Sequence, residues 1–310
     1  MTVDADILDR ARACALGAAI GDAFGMPLEF LGRRSLDHLL REMRPGRLPA
    51  GAFTDDTEMA LALADSLLTT GEAGLDPDDL AARYVAWLAS GPDDVGRHTR
   101  LVVGRIAAGQ SWVQASAAVQ QAYPDSAGNG SVMRCWPVAL ARWDNLDGLS
   151  AESELQGRVT HAHPECVAAC SFVNAVIFHL LRNVMPDEAV GEALSDASTP
   201  PELRAAIEAA PNRRRNELAN TGWVRHTVES AVWGLLTTES FEEAVVQVAN
   251  LGEDADTAAS VVGALAGAAY GLDAIPARWQ TALQGTWPIG GGQRWDAARF
   301  VALADRLVSA

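Results

Sequence analysis

Two short stretches of this chain concentrate hard oxygen ligands, Thr54-Asp55-Asp56 early and Asp254-Ala255-Asp256-Thr257 late. Carboxylates and threonine hydroxyls suit Mg²⁺, Mn²⁺ or Ca²⁺, and match Zn²⁺ or copper poorly unless imidazole or thiolate stands nearby. Four aspartates drawn into one cleft repel one another unless cations lie between them. The two stretches therefore read as halves of one binuclear metal site. Taken singly, each also reads as a helix N-cap, since Thr and Asp are preferred there and an apolar run follows both. A cap needs one acceptor, and each stretch carries a surplus.

A third segment has its own chemistry. In Gly128-Asn129-Gly130-Ser131 the glycines free the backbone to turn N–H groups toward an anion, and Ser131 is expected to open a helix whose N-terminus faces a phosphate. Alone, the same residues describe an ordinary turn-rich loop. His161-Ala-His163-Pro-Glu-Cys166-Val-Ala-Ala-Cys170 offers two imidazoles and two thiolates to zinc. It lacks the Cys-x-x-Cys form, and its cysteines lie one turn apart in an apolar run, so they read as core.

Five blocks in order, GAAIGDAFGMPLEF (17–30), FTDDTEMAL (53–61), GNGSVMR (128–134), Thr160-His161 and NLGEDADT (250–257), resemble the ADP-ribosylglycohydrolases, the family that includes dinitrogenase-reductase-activating glycohydrolase. The match runs from about residue 11 to about residue 270. It implies an all-helical fold whose centre of two Mg²⁺ (or Mn²⁺) hydrolyses the bond between ADP-ribose and an acceptor. By that resemblance Thr54, Asp55, Asp56, Asp254, Asp256 and Thr257 are the metal ligands. Glu29 is the mobile glutamate beside the metals, Gly128 to Ser131 hold the ADP-ribose, and His161 contacts the ligand. Asp94-Val95-Gly96 is similar to the arginine-specific branch, which implies that Asp94 lies near the scissile linkage, to meet the acceptor guanidinium or to assist protonation of the ribose ring. A planar cation of that kind is well matched by a carboxylate.

Without the resemblance, Glu29 reads as an exposed glutamate after a proline turn, and Pro92-Asp93-Asp94 as a turn with solvated acids. Gly252-Glu253-Asp254 departs from the family's common Gly-Gly-Asp at a position that holds no metal. The expected activity is release of ADP-ribose from protein arginine. The alternatives are another ADP-ribose linkage (serine, a metabolite or a nucleic-acid end) and a non-catalytic ADP-ribose binder. Retention of all six implied ligands disfavours the last.

These residues must be held by helices. Apolar residues recur at three and four, or on all sides, over residues 7–20, 80–88, 102–108, 132–141, 166–181, 224–236, 241–248 and 300–307. Residues 258–272, rich in small side chains, read as a central buried helix. Alternating strand patterns are nearly absent. The expectation is an all-α chain forming one large multi-helix domain over 1–310, with the metal site between helices. Neither 209–216 nor 286–292 is long enough for a linker.

At 310 residues and 49% hydrophobic, the chain can bury a sizeable core. Its apolar runs fall short of about 20 residues, so none is expected to span a membrane. The N-terminus, Met1 to Asp6, is acidic where a secretory signal is basic, and the four cysteines sit in apolar runs. Both point to the cytoplasm. A net charge of −16 disfavours nucleic acid as a main partner and favours divalent cations, leaving Arg213-Arg214-Arg215 as a solvated loop. The nine tryptophans are dispersed and read as packing, and His38, His98, His179 and His226 stand isolated. The oligomeric state is not legible.

Overall fold

The computed structural model describes residues 3–195, 198–289 and 291–310. Two helices, Ala5–Gly25 and Ala255–Tyr270, cross at its centre. Both are rich in Ala and Gly, and the reason is distance. A Cβ added to Gly17, Gly21 or Gly25 would lie 2.3 Å from the Gly263 carbonyl, 2.0 Å from that of Ala259 and 2.4 Å from that of Ala255. Additions at Gly263 and Gly267 would meet the carbonyls of Gly17 and Ala13 at 2.2 and 2.1 Å. The backbones touch along the whole seam, and no side chain larger than hydrogen fits at these positions.

Helices Pro164–Leu181, Val224–Thr237, Phe241–Ala249 and Ala297–Val308 pack around the pair. Phe24, wholly buried, stacks obliquely on Trp279 with ring centroids 4.7 Å apart. Burying one such side chain contributes roughly 1.5–3 kcal/mol. The helix Asp55–Thr70 lies beside the pair and begins at the first oxygen-rich stretch.

Among the described residues, 66% are helical. Five helices lie where the apolar pattern was not read as helical: Trp112–Ala122, Leu146–Arg158, Pro186–Leu194, Pro201–Ala209 and Ala277–Ala282. Residues 132–141 are helical only over Trp136–Ala141. Pro137 has no N–H to donate to residue 133, so the helix begins where proline is tolerated, in its first turn. Residues 131–134 form turns instead. The stretch 286–292, read as a loop, lies in a short antiparallel hairpin of Gly285–Trp287 with Gln293–Trp295; its Gly290, like Met1 and Thr2 of the acidic N-terminus, lies outside the described residues.

Helix Pro164–Leu181 is long and apolar enough to cross a membrane, but 83% of it is buried inside the protein, as befits a core helix. His163 opens it as an N-cap, its Nδ1 accepting from the Glu165 N–H. Cys14, Cys135, Cys166 and Cys170 are free and buried. In the arginine triplet Arg213 and Arg214 are exposed, as expected, and only Arg215 is half-buried. Arg213 pairs with Glu229 and Arg214 with Glu217, while Arg215 donates to the carbonyls of Arg34 and Asn250 and so braces the loop before Asp254.

The seam predicts an asymmetric response to adding one methyl group. Gly21→Ala should lower stability by about 2 kcal/mol, because overpacking against an immobile carbonyl exceeds the helix-propensity gain. Gly104→Ala, on an exposed helical face with nothing within 4 Å of the new methyl, should leave stability unchanged or raise it by up to about 1 kcal/mol. Urea unfolding of both variants checks the pair.

Candidate active site

The two central helices end and begin at the same place. Gly25 packs on the start of Ala255–Tyr270, so close that an added Cβ would sit 2.4 Å from the Asp256 Cα. One turn earlier, Asp22 is wholly buried in an otherwise apolar stretch. Its carboxylate accepts from the N–H and hydroxyl of Thr54, both at 2.9 Å, and from those of Thr57 at 3.2 and 2.5 Å. Asp22 thereby fixes the first oxygen-rich stretch to the central pair. No role for Asp22 follows from its motif alone, and the signal that marks it is a lone aspartate among Ala, Gly and Ile.

The second stretch closes from the other side. Thr257 donates its hydroxyl to Asp56 Oδ2 at 3.3 Å, joining residues 54–57 to residues 254–257 across two hundred positions of chain. Asp254 Oδ2 accepts from Asn129 Nδ2 at 2.9 Å, and that amide also donates to the Thr227 hydroxyl. The loop before it is braced throughout. Asn220 exchanges hydrogen bonds with Gly252 and Asp254, and Asn250 bonds to both backbone groups of Leu40.

These positions separate ligation from capping. Thr54 and Asp254 occupy the N-cap positions of Asp55–Thr70 and Ala255–Tyr270, yet neither side chain makes a cap hydrogen bond. Asp4, Asp76, Ser111, Asn145, Ser240 and Asp296 all do so on their helices. A shared cavity of about 280 Å³ is lined by Glu29, Asp55, Asp56, Asp94, Asp254, Asp256 and Thr257, whereas Thr54 lies outside that lining with its hydroxyl given to Asp22.

Burial and mutual repulsion dominate its electrostatics. Burial, then the charges of Asp94 and Asp22, holds the Asp55 carboxyl well above the usual range. Burial and then Asp22 and Asp55 do the same for Asp56, and burial with Asp56 and Asp254 for Asp256. Asp254 is raised by burial, against the pull of the Asn129 amide. Asp56 Oδ1 is buried without any hydrogen-bond partner. An orphaned anionic oxygen is costly unless a cation meets it, which makes this donor set a fit for hard divalent ions. Among the described residues, though, no group of three or more His, Cys, Asp or Glu side chains is placed so that it could hold a metal ion as it stands.

Glu29 is not the exposed glutamate of the simplest reading. Its side chain is 9% exposed and accepts from Arg47 Nε and Nη2 at 3.0 and 2.8 Å. Burial raises its pKa, opposed by Arg47. Asp94 lines the same mouth and also meets Arg47. Arg47 stands in no motif, and no sequence signal pointed to it.

The glycine loop is placed differently from expectation. Gly128, Asn129 and Gly130 line the cavity, but Ser131 is fully buried beneath it and opens no helix. The Asn129 N–H is already given to the Gly222 carbonyl. What the glycines provide is room for His161, since a Cβ at Gly130 would lie 2.9 Å from its ring. Arg134 donates to the Thr160 hydroxyl at 2.7 Å, leaving that hydroxyl's proton for His161 Nδ1 at 2.8 Å. Burial and the neighbouring charges keep the ring neutral, with its pKa well below the ordinary value. Its remaining N–H is then on Nε2, beside the glycine loop. His98 is not isolated as expected: it lines the cavity and stacks on His161 with centroids 4.6 Å apart.

The sequence profile of the ADP-ribosylglycohydrolases matches residues 3–310. A protein named ADP-ribosylarginine hydrolase Tri1, from Serratia proteamaculans (strain 568), is 33% identical over 89% of this chain and 75% of its own. The ADP-ribosyl-[dinitrogen reductase] glycohydrolase of Rhodospirillum rubrum is 32% identical over 89% and 90%. A solved structure titled ADP-ribosylglycohydrolase-related protein complex superposes with a TM-score of 0.81 at 34% identity, covering 98% of each chain. The chain belongs to the ADP-ribosylglycohydrolase family, a family of hydrolytic enzymes.

The backbone around Glu29 and Asp254 gives the family's second glycine a physical meaning. Glu253 has φ +55° and Phe30 φ +59°, and the two are clasped by Phe30 N–H to the Glu253 carbonyl and Glu253 N–H to the Leu31 carbonyl, at 2.7 and 2.8 Å. A left-handed non-glycine residue carries about 1 kcal/mol of strain. Glu253→Gly should therefore raise the melting temperature, by the equivalent of about 0.5–1 kcal/mol, in thermal unfolding.

A second prediction concerns pH. Raised carboxyl pKa values mean that the folded protein binds more protons than the unfolded chain above about pH 4. Their stabilising contribution is complete below the unfolded pKa and is lost as pH rises through the folded values. In EDTA, the melting temperature should fall from pH 5 to pH 8, and Asp56→Asn should flatten the fall.

Proposed function

We propose that the protein is a hydrolase dependent on two Mg²⁺ or Mn²⁺ ions that removes ADP-ribose from modified arginine on protein. The observation that carries this is the convergence of Asp55 and Asp56 with Asp254, Asp256 and Thr257 on one cavity, where the buried Asp56 Oδ1 has no hydrogen-bond partner. Thr54, Asp55, Asp56, Asp254, Asp256 and Thr257 would hold the ions. The names of the Serratia and Rhodospirillum relatives support the linkage, the one naming arginine and the other a protein substrate.

Bound there, the ions supply orientation of the ribose hydroxyls and acidification of a water. Hydrolysis at the anomeric carbon passes through an oxocarbenium-like state. Glu29, shielded at the mouth, has its pKa raised by burial, which favours a carboxyl able to hold and pass on a proton. Asp94 provides the carboxylate for the acceptor guanidinium. His161 offers its Nε2 proton to the ADP-ribose, and Asn129 holds Asp254 in place. A second cavity of about 440 Å³ adjoins the first through Arg97 and His98, and Arg97 lies over the Tyr123 ring at 5.1 Å. Its flat ring and guanidinium suit the remaining base and pyrophosphate. Four buried free cysteines support a reducing, cytoplasmic setting.

Release of ADP-ribose from arginine-modified protein should cease in EDTA and return with Mg²⁺ or Mn²⁺. Asp256→Ala and Asp55→Ala should each lower turnover by about a hundredfold or more, the scale of losing one preorganised charge-stabilising group. Serine-modified protein serves as the competing substrate: preferential release from it would reassign the linkage, and full activity of Asp256→Ala would end the metal proposal.

A further inference from the structure

Arg47 is delivered to the cavity mouth by a loop tied to the segment that carries Glu29. Gly46 packs so closely on Pro27 that an added Cβ would lie 2.7 Å from its Cα. The guanidinium donates to Glu29 Oε2 through Nε and Nη2, and Nη2 also meets Asp94 Oδ2 at 2.7 Å and stands 3.6 Å from Asp256 Oδ2. A planar cation is thus held between two carboxylates that face each other across the opening.

That arrangement is itself a guanidinium receptor, and here the chain supplies the guest. Glu29 and Asp94 have one gap between them, and a second guanidinium cannot use the same oxygens without placing two positive charges in contact. We propose that Arg47 is a resident occupant of the acceptor subsite, an internal guanidinium that holds Glu29 and Asp94 together in the resting protein and is displaced by the acceptor's guanidinium. The inference rests on the reading of the acceptor as arginine. An intramolecular competitor is present at a high effective concentration. It therefore weakens binding of free guanidinium compounds, such as the arginine side chain released by the reaction, relative to an acceptor also anchored through ADP-ribose.

Calorimetric titration with agmatine, a simple alkyl guanidinium, under saturating Mg²⁺ tests this without turnover. Arg47→Ala and Arg47→Gln should bind agmatine about tenfold or more tightly than the unaltered protein, or bind where it does not. The gain should vanish in Arg47→Ala/Asp94→Asn. Thermal melts establish that each variant is folded, and Arg47→Gln, which keeps a polar side chain, carries the test should the alanine variant unfold. Unchanged or weaker agmatine binding in the folded single variants would overturn the proposal, as would a gain that persists without the Asp94 charge. The acceptor reading is judged separately by hydrolysis of arginine-modified against serine-modified protein. Tightened agmatine binding in a protein that spares arginine linkages would uphold Arg47 as a resident guanidinium between Glu29 and Asp94 and overturn the acceptor reading, with the displacement by an acceptor that depends on it.

Discussion

Everything at the site depends on two backbones touching. Helices Ala5–Gly25 and Ala255–Tyr270 approach along a seam of Gly and Ala where any Cβ at Gly17, Gly21, Gly25, Gly263 or Gly267 would collide with a carbonyl. This contact gives Asp22 and Asp256, far apart in sequence, a fixed relation, since both sit on the last turn of closest approach. A looser crossing would still bury apolar surface, because Ala and Leu tolerate a range of helix separations. It would not hold Asp22 against Thr54 and Thr57 while Thr257 reaches Asp56. The small residues are therefore a positional constraint before they are a packing preference, and the site's tolerance is set by atoms that cannot move.

The carboxylates gathered by that contact oppose their own assembly. Desolvation and neighbouring charges raise the pKa values of Asp55, Asp56 and Asp256 well above the ordinary range, and the buried Asp56 Oδ1 has no donor. The fold sustains this because the backbone beneath is over-determined. Asp22 accepts four hydrogen bonds, Asn220 and Asn250 tie down the loop before Asp254, and Arg215 bridges the Asn250 carbonyl of that loop to the Arg34 carbonyl. Local repulsion is borne by rigid surroundings, the usual condition for charge held ready to meet a ligand.

The sequence made parts of this legible and hid others for identifiable reasons. Thr54-Asp55-Asp56 and Asp254-Ala255-Asp256-Thr257 stood out because polar residues clustered at the edge of apolar periodic runs, a local signal. Of the two central helices, Ala255–Tyr270 was legible as central from its small residues, whereas Ala5–Gly25 was legible only as a helix from its apolar spacing. Asp22 was harder, since its role comes from hydrogen bonds to residues thirty positions away. Arg47 and His98 belong to no pattern at all, and only tertiary placement brings one between Glu29 and Asp94 and the other onto His161. Ser131 illustrates the opposite error. Glycines before an apolar run suggested a helix start, but Pro137 delayed the helix, and the serine went to the interior.

Thr54 and Asp254 show how a position can be structurally ordinary and chemically unusual. Each has the backbone place of a helix cap, and the bare statistics of caps favour reading them so. The helices begin there nonetheless, without side-chain caps, which leaves the first-turn N–H groups partly dependent on other acceptors; Asp22 takes the Thr57 N–H and Asp256 Oδ1 takes that of Thr257. The capping duty is thus passed to neighbouring carboxylates, while Asp254 lines the cavity with one oxygen on Asn129 and the Thr54 hydroxyl is held by Asp22. The same economy appears at Phe30 and Glu253, where left-handed backbone lets two loops exchange hydrogen bonds and binds the Glu29 segment to the Asp254 segment. Opening the mouth at Glu29 therefore strains the loop that carries Asp254, so that any movement of this glutamate on binding must arise in its side chain or break the clasp.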